Sequence, residues 1–191
     1  MAIFKARYSR QGLWLLFSTC AFPIHVWTLI LFFQDISWVT ERTNSWDAIG
    51  VGSYGLLIAF FESVFVFVIA LLLGFLVPRN WDKNKRVAVL GWLALITAVW
   101  AILDQLYFLT NFQFPSSLLQ VMLKSGHPLW ILNGLVLGGA ILTTLLPVIR
   151  LMKSEKFGTN INAFMERITT LSALYLFLDF CGLIVVIIRN V

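Results

Sequence analysis

The chain has 191 residues, 60% of them hydrophobic and only 12% charged, with a formal charge of +5 and a mean hydropathy of +0.88. A soluble domain carries roughly 25% charged residues, and one of this size still exposes about a third of the surface of its unfolded chain. A water-soluble fold is therefore excluded, and the length suits a single transmembrane domain over residues 1–191.

Five apolar runs are long enough to cross about 30 Å of hydrocarbon at about 1.5 Å per residue. They cover residues 12–33, 48–77, 87–109, 129–151 and 163–188. They predict an all-α integral membrane protein, a five-helix transmembrane bundle. The first run follows Lys5, Arg7 and Arg10, as a signal peptide would. It exceeds a typical signal core and no A-x-A site follows, so it is expected to stay as a helix. Residues 34–47 form a polar connection whose Trp38 and Trp46 suit the headgroup level.

The second run opens with Gly50-Val51-Gly52-Ser53-Tyr54-Gly55. This matches a dinucleotide-binding pattern but follows no strand, so its glycines are read as helix-contact positions. The third run carries Asp104-Gln105 near its end. Residues 111–128 contain Pro115-Ser116-Ser117 and then Leu118, Leu119, Val121, Met122 and Leu123. Proline followed by serine is a helix start, and the pattern predicts a short interfacial helix in the external loop before the fourth span. The fourth run holds Asn133 and Gly134-x-x-x-Gly138, and the fifth holds Asp179. The second and fourth runs end alike, in Leu76-Val77-Pro78-Arg79 and in Leu145-Leu146-Pro147 with Arg150 beyond. A duplicated hairpin would make Asp104 and Asp179 equivalent.

Basic residues alternate between the two sides. Lys5, Arg7, Arg10, Arg79, Lys83, Lys85, Arg86, Arg150, Lys153, Lys156 and Arg167 fall on one side, and Arg42, Lys124 and Arg189 on the other. The positive-inside rule then places the N-terminus in the cytoplasm and the C-terminus outside.

Ionisable groups within the runs are the candidates for function. Each costs about 2.5–3.5 kcal/mol in hydrocarbon even on the lenient insertion scale, so each is expected to turn inward. Small and hydroxylated residues that allow close packing recur at helical spacing around all of them. Gly52, Gly55, Ala59, Ser63, Ala70 and Gly74 accompany Glu62; Ala94, Thr97 and Ala101 accompany Asp104. Thr169, Ser172, Tyr175 and Gly182 accompany Asp179; Ser18, Ala21 and Thr28 accompany His25. The expected site is one polar centre of His25, Glu62, Asp104, Asn133, Tyr175 and Asp179, able to handle a proton, an ion or a ligand. Gly52, Gly55, Gly134 and Gly138 are expected to pack helices. Two or three carboxylates with an imidazole would also make a metal shell. Trp27 and Trp100 suit either packing or a pocket for a lipid or flat hydrophobic ligand.

No G-x-S-x-G or H-E-x-x-H occurs, Cys20 and Cys181 have no metal or redox spacing, and no motif names a cofactor. Three functions fit: a cation- or proton-coupled permease, a non-catalytic subunit or assembly factor of a larger membrane complex, and a membrane enzyme acting on a lipid-linked substrate at the outer face. The partners implied are the lipid bilayer and, for the second reading, other membrane subunits; nucleic acid is not among them.

Overall fold

The computed structural model describes residues 7–78, 80–109 and 115–191, without the side chains of Phe108 and Leu118. Lys5, Arg79 and Asn111 lie outside the described residues. The helices are α1 (Arg10–Arg42), α2 (Ser45–Leu73), α3 (Lys83–Leu109), α4 (Ser116–Lys124), α5 (Pro128–Lys153) and α6 (Glu155–Asn190). All except α4 are long and apolar enough to cross a membrane. Among the described residues there is no strand.

Two helices run further than their apolar stretches. The connection expected over residues 34–47 shrinks to Thr43 and Asn44, because residues 34–42 contain neither glycine nor proline to stop the helix. Helix α6 starts at Glu155 rather than near residue 163, since Ser154 caps it by accepting the Phe157 N–H at 3.3 Å. Asn44 caps α2 in the same way, accepting from Asp47 N–H at 2.9 Å. A short helix, α4, forms in the segment before α5, with Met122 buried.

Helix α1 is the centre of the bundle, flanked by α2, α3 and α6, while α5 leans on α3 and α6. Ser18 meets Ser172 and His25 meets Asp179, the same offset of 154 residues, so α1 and α6 run parallel in one register. Gly52 faces Phe32 and Gly55 faces Thr28, so α2 runs antiparallel to α1. A Cβ at Gly52 would come within 2.7 Å of Phe32, and one at Gly50 within 2.6 Å of Arg189. The three glycines of the 50–55 segment thus admit three neighbours, not a nucleotide. Among the described residues nothing lies within 4 Å of where a Cβ at Gly134 or Gly138 would stand, contrary to the packing role expected of them. Their helix is peripheral, and Leu151 is its one buried residue.

The two ends of the bundle are tied differently. At one end the carboxyl termini of α2 and α5 present carbonyls that no later turn satisfies. Arg7 donates to Gly74 O at 3.0 Å and Phe75 O at 3.2 Å, and Arg86 to Arg7 O at 2.8 Å and Pro78 O at 2.9 Å. Lys85 donates to Met152 O at 2.9 Å. Cations at helix C-termini also complement the helix dipole. Tyr8 donates to Leu71 O at 3.3 Å. Burial raises its phenol above the ordinary value, outweighing the lowering pull of Arg86 and Arg7. The main apolar core lies beside this knot and includes Leu16, Cys20, Ala88, Leu90, Leu151 and Met165. At the other end Arg189 reaches across α2, donating to Trp46 O at 2.6 Å and pairing with Asp47 at 2.7 Å.

Candidate functional site

The polar residues expected to form one centre are divided among three places. The first is a buried pair. On α6, Ser172, Tyr175, Asp179 and Gly182 recur every three or four residues and all are buried, which is one helix face. Ser172 brings that face against Ser18 O at 3.4 Å, and a Cβ at Gly182 would stand 3.3 Å from Ser53 O. Asp179 is thereby held between α1 and α2. On α1, Ser18, Ala21 and His25 form the matching buried face.

His25 is 1% exposed and Asp179 6%. His25 Nε2 lies 3.1 Å from both Oδ1 and Oδ2 of Asp179, and Nδ1 lies 2.9 Å from Ala21 O. The Tyr175 ring stacks on the imidazole, with centroids 5.4 Å apart and planes at 22°. A carbonyl oxygen only accepts, so Nδ1 carries a proton. One further proton is shared between Nε2 and the carboxyl group. Imidazolium with carboxylate, or imidazole with carboxylic acid, are the two forms this allows, and both are neutral as a pair.

The second place is a groove between α1, α2 and α3 with a volume of about 390 Å³, lined by Trp27, Thr28, Phe32, Asp35, Glu62 and Gln105 among others. Glu62 is exposed to it instead of entering the core. The reason is angular. At about 100° per residue, Gly52, Ser63 and Ala70 lie within about 40° of Ala59, whereas Glu62 stands about 60° off to the other side. The small-residue face of α2 is buried at Ala59, Ser63 and Ala70, and Glu62 sits on its flank.

The third is a cleft between α3 and α5 of about 450 Å³, lined by Trp100, Asp104, Tyr107 and Asn133. Asp104 and Asn133 are exposed there. On α3, Gln105 falls within about 20° of Ala94, while Asp104 is about 80° away. Gln105 therefore enters the groove and Asp104 does not. Asp104 and Asp179 are not equivalent, as a duplicated hairpin would require: one is exposed and the other buried. Among the described residues only one carboxylate reaches the imidazole. Among the described residues no three of His, Cys, Asp and Glu gather as a metal site.

Sequence reasoning passed over Asp35 and gave Gln105 no role. Asp35 lies just beyond the first apolar run. It stands two turns after Thr28, hence on the same face, and that spacing would have found it.

No family model matches this chain, and neither the curated proteins nor the solved structures contain a match.

Proposed function

We propose that the bundle is a small membrane permease in which the His25–Asp179 pair exchanges a proton against a cation. The observation that carries this reading is the buried imidazole held between Ala21 O and both oxygens of Asp179. The pair is neutral while it keeps the shared proton. Losing that proton leaves one negative charge among the helices, which is unfavourable in a low-dielectric interior unless a cation arrives. Proton release and cation entry are then linked by charge balance alone. Thr28, one turn from His25 on α1, lines the groove, so a path from the groove to the pair is short. The cytoplasmic N-terminus belongs to the same proposal, with the knot of Arg7, Lys85 and Arg86 on the cytoplasmic side.

The test is proton flux in proteoliposomes carrying a pH-sensitive dye, driven in turn by a sodium, a potassium and a quaternary ammonium gradient at zero membrane potential. Wild type moves protons, and Asp179→Asn and His25→Gln do not. Unchanged flux in both variants would sink the proposal.

A second reading, a non-catalytic subunit of a larger membrane complex, has one observation in its favour. Helix α5 buries only Leu151, and among the described residues its Gly134 and Gly138 face no neighbour. Extraction with the surrounding bilayer should then give a particle with a partner in fixed stoichiometry; a lone bundle counts against it.

A further inference from the structure

We propose that the groove between α1, α2 and α3 binds a hydrophobic organic cation, with Glu62 neutralising its charge and Asp35 drawing it in. The assignment deepens the permease reading by naming its substrate class, and as a substrate site it rests on that reading. As a binding site it stands by itself.

The lining sets the charge of the occupant. Among the described residues it contains two carboxylates, Asp35 and Glu62, and no Lys, Arg or His. An anion would be repelled by both. Glu62 lies near the middle of α2, an apolar helix with no Lys or Arg of its own, so a positive charge beside it has to come from outside the helix. Acids within apolar spans are costly and rare, and they mark functional sites by default.

The lining also sets the kind of cation. A bare metal ion needs several oxygen ligands in a closed shell, and apart from two carboxylates that stand far apart the groove offers only the amide of Gln105 and the hydroxyl of Thr28 as side-chain oxygens. The rest is largely apolar, and includes the rings of Trp27 and Phe32. Aromatic faces attract cations whose hydration is weak, and a large organic cation exchanges its apolar surface for theirs. A volume of about 390 Å³ admits a molecule of several rings or a branched amine.

The two acids have separate tasks. Gly55 lies against Thr28. Glu62 is seven residues beyond Gly55 in one direction and Asp35 seven residues beyond Thr28 in the other. At about 1.5 Å per residue they are roughly 20 Å apart along the bundle, too far for one compact ligand to touch both. Asp35, near the α1–α2 turn, is placed to raise the local concentration of cations, and Glu62 to hold one.

The full chain in nanodiscs is tested by equilibrium dialysis with tetraphenylphosphonium and with tetraphenylborate, ions of the same shape and opposite charge. The phosphonium should bind saturably at one site and the borate should not. Glu62→Gln should weaken phosphonium binding about tenfold or more. Asp35→Asn should weaken it about two- to threefold, through slower association. Glu166→Gln, on α6, should leave it unchanged. Equal binding of both ions overturns the proposal, as does a Glu62→Gln variant that binds like wild type. The comparison of the two ions uses the unaltered chain, so it does not depend on a variant folding. If cation-driven proton flux persists and the phosphonium does not bind, the groove assignment fails alone. If the phosphonium binds and Asp179→Asn and His25→Gln both leave flux unchanged, the proton reading fails alone.

Discussion

Removing Asp179 tests whether the buried pair is a coupled unit or two residues that happen to touch. The carboxyl group supplies both oxygens facing His25 Nε2, at 3.1 Å each, and the side chains are 1% and 7% exposed. Breaking a buried ion pair from one side costs about 3–5 kcal/mol in water-soluble proteins. Interhelical hydrogen bonds in lipid average only about 0.6 kcal/mol and reach about 1.7 kcal/mol, because the unfolded helices also find partners within the bilayer. This contact shares a proton with two oxygens, so its coupling should lie near the upper end. Asp179→Ala and His25→Ala should each cost about 3 kcal/mol and the double variant about 4 kcal/mol, a coupling of about 2 kcal/mol. Unfolding in mixed micelles, followed by far-ultraviolet circular dichroism against denaturing detergent, measures all four corners of the cycle. Asp179→Asn keeps the volume and one acceptor, so it should recover part of the loss. A coupling below about 0.5 kcal/mol, which is simple additivity, would refute the reasoning.

Two further tests concern packing and the basic knot. A methyl group at Gly74 would overlap the Tyr8 hydroxyl and approach Leu90, so Gly74→Ala should cost about 1–3 kcal/mol by overpacking. Gly138→Ala meets open space and should stay within about 0.5 kcal/mol of wild type; thermal scans of intrinsic fluorescence that rank these two the other way would contradict the packing described. Arg86→Lys keeps the charge but loses the fork that joins Arg7 O to Pro78 O. It should destabilise by about 2 kcal/mol and speed amide hydrogen exchange at the end of α2, and unchanged exchange there would show that the fork does not hold that end.

How far each site was legible follows from where its residues stand on their helices. The α1 and α6 faces were readable except at Thr28 and Thr169, which the same spacing placed on them and which are only half-buried. His25 and Asp179 lie in line with Ser18 and Ala21, and with Ser172, Tyr175 and Gly182, and every one of these is buried. Glu62 and Asp104 were misjudged, because spacings of three and four alternate around a true period of 3.6. Over ten residues that turns a side chain from the core to the flank. Arg86 counted in the sequence only as one basic residue of its side and is instead 1% exposed, since the Arg7 and Pro78 carbonyls take the place of water on its guanidinium. Nothing in the order of residues announces which carbonyls those will be.

The sequence by itself determined the five long apolar helices, because the length and hydropathy of a helix are local properties that lipid reads directly. It also determined which faces of α1 and α6 are small and polar, since that follows from period alone. Only the tertiary structure decided that these two faces meet, and that Glu62 and Asp104 open onto separate cavities. Which helix lies beside which is settled by contacts between residues far apart in the chain, and in lipid no general hydrophobic force chooses among such pairings. Glycine contacts and single hydrogen bonds make that choice, and they become visible only once the helices are assembled.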